Sequence, residues 1–90
     1  MSKDQDELAV LWGHEWSSWT RRHGFDAESK LSHQLLRWHD SEKPYVPVWQ
    51  AWKAQIRERA EALDISPEEF VKRLFGHETP ESFMQFFRGD

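Results

Sequence analysis

The sequence predicts an all-α fold, a compact orthogonal bundle of about five short helices forming one domain over residues 1–90. Three observations predict it. Apolar residues recur at three- and four-residue intervals along three long segments, two later segments open on Ser or Thr followed by Pro and Glu, and Gly or Pro marks most of the boundaries between them.

The first helix is expected at about 5–22. Asp4 with Glu7 has the spacing of a capping pair, Asp6 is the other candidate cap, and Leu8, Leu11, Trp12, Trp16 and Trp19 form one apolar stripe. Arg21, Arg22 and His23 suit the negative pole at its end, and Gly24 suits the position just beyond. Gly13, inside the helix, costs about 1 kcal/mol relative to Ala, either because another backbone approaches it or because the loss is tolerated.

A second helix is expected at about 27–39. Asp26 caps it, Phe25 packs back on its first turn, and Leu31, Leu35 and Trp38 form an inner face that Leu36 broadens. The run Asp40 to Pro44 ends it. The third helix, at about 47–63, takes Pro47 in its first turn, where the missing N–H is no loss. Val48, Trp49, Trp52, Ile56, Ala60 and Leu63 line its inner side; Lys53, Arg57, Glu58, Arg59 and Glu61 mostly cover the outer one.

Ser66-Pro67 with Glu69 starts a fourth helix at about 67–75, carrying Phe70, Val71 and Leu74 inward before Gly76. Thr79-Pro80 starts a fifth at about 80–88, with Phe83, Phe86 and Phe87 before Gly89. Three Phe within one and a half turns cannot share a direction, so one leaves the main stripe. The similar starts are two uses of one signal; a solenoid needs more stacked units. Helices one to three are expected to form the main core, with the last two folding over one end.

Composition narrows the function classes. A chain of 90 residues buries only roughly 60 to 65% of its unfolded surface, yet this one carries six Trp, six Phe and one Tyr. Some of those rings are therefore candidates for a surface that a partner covers. The absence of cysteine rules out disulfides, thiolate metal sites and cysteine catalysis. No basic segment leads into an apolar run, so neither signal peptide nor membrane span is expected, and a cytoplasmic location is the default. A net charge of −4 with mixed signs disfavours non-specific attraction to nucleic acid or anionic lipid.

The tryptophans carry the preferred functional reading. Trp12, Trp16 and Trp19 on one helix can interleave with Trp49 and Trp52 on another to build a core. Exposed members of that set, with Trp16, Trp49 and Trp52 foremost and Phe83 and Phe87 as further candidates, would anchor a protein partner or a second copy of the chain. The alternative is a helix-turn-helix-like DNA-binding regulator over residues 56–75, with Arg57, Arg59, Lys72 and Arg73 as the basic contacts. Against it, Asp64 stands where the turn favours Gly, and Glu68 and Glu69 lead the second helix towards phosphate.

None of His14, His23, His33, His39 and His77 has a neighbour one helical turn away, so no metal or cofactor is expected and the histidines read as surface or cap groups. There is no phosphate-binding glycine loop and no nucleophile elbow. Acid–base work by His14, Glu15 or His39 would need a shared cleft. The expectation is a non-enzymatic protein-interaction or regulatory domain.

Overall fold

A helix that begins at an aspartate needs its first amides satisfied, and Asp6 does this for two: its Oδ1 accepts from the backbone N–H of Leu8 at 3.1 Å and of Ala9 at 3.2 Å. The structure, a computed structural model, describes residues 6–90, so the proposed Asp4–Glu7 capping pair and the expected start at residue 5 lie outside the described residues. Five helices follow: α1 (Glu7–His23), α2 (Phe25–Glu42), α3 (Val48–Leu63), α4 (Pro67–Leu74) and α5 (Pro80–Arg88). The arrangement is the all-α bundle the sequence predicts, consistent with an orthogonal bundle. Its radius of gyration is 12.8 Å, against the about 12 Å expected of a compact chain of this length.

The joints differ from expectation in instructive ways. Gly24 alone separates α1 from α2: at φ 96° and ψ 169° it ends one helix and begins the next without a side-chain cap. Asp26 is therefore not the cap but a first-turn residue, and Phe25 heads the helix exposed to solvent instead of packing back on it. At its other end α2 absorbs Asp40, Ser41 and Glu42 and stops at Lys43, because the following Pro44 disfavours helical geometry in the residue before it. Pro47 precedes α3 as its cap instead of entering its first turn. Asp64 adopts the left-handed conformation, φ 60° and ψ 43°, that closes α3, the role more often taken by Gly. Ser66 and Thr79 cap α4 and α5 through their hydroxyls with Pro at the first position, as the sequence predicts. Among the described residues nothing lies within 4 Å of a Cβ built at Gly13, so no close approach by them explains that glycine.

The core is shared by all five helices, which corrects the expectation of a three-helix core closed at one end. Phe70, Val71, Leu74 and Phe75 from the α4 region and Phe83, Met84 and Phe87 from α5 are fully buried alongside Trp19, Leu31, Leu35 and Ile56. Phe75 and Phe83 meet edge to face at 5.0 Å, and each also meets Trp12 edge-on, at 4.9 and 6.2 Å. Such pairs add about 0.5 to 1.5 kcal/mol each beyond their buried area. α5 lies against both α2 and α3, and its C-terminal carbonyls are satisfied from α3: Gln55 donates to Phe87 at 2.8 Å and Arg59 to Phe86 at 3.4 Å. Leu63, expected inside, is exposed at the end of α3.

Candidate interaction surface

Trp12 stands at the centre of the tryptophan set. It stacks on Trp16 from its own helix at 6.3 Å and on Trp52 from α3 at 5.4 Å, while Trp49 meets it edge-on at 5.8 Å. The two helices thus interleave their indoles, as the sequence predicts. α1 and α3 are not among the closely packed helix pairs, and these rings fill the space between them.

The rings that stay partly exposed have already committed their polar atoms. Trp16 donates its indole N–H to Glu28 at 3.1 Å, Trp52 to the Leu35 carbonyl at 3.4 Å, and Trp49 to Asp6 Oδ2 at 2.7 Å. The same Asp6 oxygen accepts from Lys53 at 3.0 Å. The Trp49 N–H first, and Lys53 second, hold the Asp6 carboxyl down at about 2, well below its ordinary value. What remains of Trp16, Trp49 and Trp52 at the surface is carbon edge and ring face, suited to apolar contact.

Beside this seam α2 exposes two apolar side chains, its ridge, that the sequence reading missed. Phe25 is 76% exposed and Leu36 43% exposed. Eleven residues apart on α2, they fall within about 20° of each other around the helix and about 16 Å apart along it. Glu28 and Leu35, which hold Trp16 and Trp52, lie on the adjoining face, so ridge and seam are neighbours. Leu36 does not broaden the buried face as expected, because it sits one residue past Leu35 and is carried about 100° round. That phase relation was the available signal. Beyond the end of α2, Tyr45 is 98% exposed on a loop that His39 holds through the Val46 carbonyl, so His39 is a buried structural group and not the surface histidine expected.

Phe83 and Phe87 are also corrected. Both are fully buried and offer no surface; Phe83 packs against Phe75 and Phe87 against Trp38, at 5.0 Å each. The Phe that leaves the stripe is Phe86, which stacks on Phe70 at 4.8 Å and remains partly buried.

Among the residues nominated for nucleic acid, Arg59 is turned to the end of α5 and lies 6.0 Å over Phe70. Arg73 pairs with Glu69 at 3.1 Å. Arg57 and Lys72 are exposed, and the outward side of α4 places Glu68 and Glu69 beside Lys72 and Arg73, acids matching bases. α3 and α4 do pack closely as a helical corner across Asp64.

Of the groups considered for acid–base work, His39 is occupied with Val46, and His14 is exposed. Among the described residues no three His, Asp or Glu side chains gather as a metal site requires, and no helix is long and apolar enough to cross a membrane. Comparison of the chain with protein-family models, with curated proteins and with solved structures gives no match.

Proposed function

We propose that this chain is a small non-catalytic interaction module that binds a protein partner, or a second copy of itself, through the α2 ridge and the tryptophan seam beside it. The observation that carries the proposal is the exposure of Phe25 and Leu36 on one face of α2 next to Trp16 and Trp52, whose N–H groups are already bonded within the chain. Large apolar side chains aligned along a helix are what a helix-in-groove or helix-on-helix contact uses. Aromatic rings held rigid by their neighbours lose little further freedom on binding.

A DNA-binding role for residues 56–75 draws support from the α3–α4 corner. It is weakened by the balanced charge outside α4 and by the commitments of Arg59 and Arg73. Capture on the immobilised chain from native extract separates the two readings. An apolar interface predicts a protein retained in stoichiometric amount after nuclease treatment and in raised salt, or self-association seen by light scattering as concentration rises. Recovery of nucleic acid alone, lost in raised salt, would overturn the proposal.

A further inference from the structure

On the side of α2 facing away from the tryptophan seam lies an open trough of about 680 Å³. Its walls are Lys30, His33, Gln34 and Arg37 from α2 with Arg88 from the end of α5, and Trp38 lies at its base. Glu42 is the acid among its lining residues. The chain as a whole carries a net −4, so this is a local reversal of sign. Lys30 and Arg37 stand two turns apart on one face, about 10 Å along the helix. Among the described residues neither makes an ion pair within 4 Å, although Asp26 and Asp40 lie one turn beyond them in either direction. Arg88 is bonded through Nε to Asp90 at 2.8 Å and keeps its terminal nitrogens for other acceptors. Trp38 is braced edge-on by Phe87 at 5.0 Å, which gives the trough a fixed apolar base between its cationic side chains.

We propose that this trough takes an acidic segment of a partner protein, an amphipathic stretch whose carboxylates meet Lys30 and Arg37 while an apolar side chain rests against Trp38. The cations are spaced as carboxylates two turns apart on a helix are spaced, and the trough is open, so it fits a strip of side chains better than an enclosed small molecule. A nucleic-acid strand would need a longer phosphate track than two or three cations supply. The trough shares no lining residue with the ridge, so either can exist without the other.

The test is amide chemical-shift mapping on the full chain. One probe is a synthetic amphipathic peptide with glutamates one and two turns apart on one face; its glutamine counterpart and a single-stranded DNA of similar charge are the others. The expected result is shifts along Ser29–Glu42 and around Arg88, with affinity about tenfold lower for the glutamine peptide and for the Lys30→Gln/Arg37→Gln variant. Both substituted side chains are exposed, and the variant's own spectrum reports whether it is folded. Absence of shifts at millimolar peptide, equal affinity of the two peptides, shifts at Phe25 and Trp16 instead, or DNA displacing the peptide from the trough would each overturn the proposal. Of these results only shifts at Phe25 and Trp16 bear on the ridge, which is read separately by protein capture.

Discussion

Asp6 performs two tasks with one carboxylate. One oxygen caps α1, and the other receives the Trp49 indole and the Lys53 ammonium of α3, so the start of the first helix is fastened to the third. Replacing it with Ala removes the cap and leaves the Trp49 N–H without its acceptor. Asp6→Ala should lower unfolding free energy by about 1 to 2 kcal/mol in urea titrations near neutral pH, and Asp6→Asn by less, because an amide oxygen can still accept. The carboxyl is held at about 2 in the folded chain against an ordinary 3.8. Its contribution is therefore fully present above about pH 4 and is lost as the pH falls towards 2. The Asn variant should show a shallower decline than the native chain across that window, and equal slopes would contradict this reading of Asp6.

At the level of the elements, the α1–α2 joint is the most demanding. Gly24 has φ 96° and ψ 169°, a region that is essentially open to glycine alone, and among the described residues nothing lies within 4 Å of a Cβ built there. The strain of a substitution would thus be in the backbone and not in packing. Gly24→Ala should cost about 1 to 3 kcal/mol of stability, read as a lower melting temperature, with the native spectrum otherwise preserved. No change in stability would mean that the joint tolerates another conformation.

Helix starts with local chemistry were legible in the sequence: Ser66-Pro67 and Thr79-Pro80 cap α4 and α5 as read. The start of α2 was not, because Asp26 offers as good a local cap as Gly24, and only the path of the preceding helix decides between them. The end of α2 was misjudged for a related reason. Asp40 and Ser41 are weak helix formers, yet α2 runs on through them to Glu42, past the buried His39 whose ring bonds the Val46 carbonyl.

Across the whole molecule, the aromatic excess of the sequence divides between two uses. Trp12, Trp19, Phe70, Phe75, Phe83 and Phe87 build an interior that all five helices share, which is how so short a chain assembles a core. The interleaving of Trp12 with Trp49 and Trp52 could be foreseen from spacing alone. The assignment of Phe83 and Phe87 could not, since periodicity places them on one stripe without saying what the stripe meets. Phe25 and Leu36 were hidden for the opposite reason: each sits next to a residue with a clear structural part, and only the phase of α2 separates them from it. Bonds such as Gln55 to Phe87 and Trp49 to Asp6 join residues far apart in the chain, and no local signal announces them.

The central claim is that α2 presents its exposed apolar ridge to another protein. Its most direct test compares the native chain with Phe25→Asp/Leu36→Asp in capture from native extract, with melting temperatures and spectra measured on both. The substituted side chains are exposed, so the fold should persist within about 0.5 kcal/mol for each change. A captured protein, or the self-association of the chain, should be lost by at least tenfold. A folded variant that retains the same protein at the same level would contradict the claim.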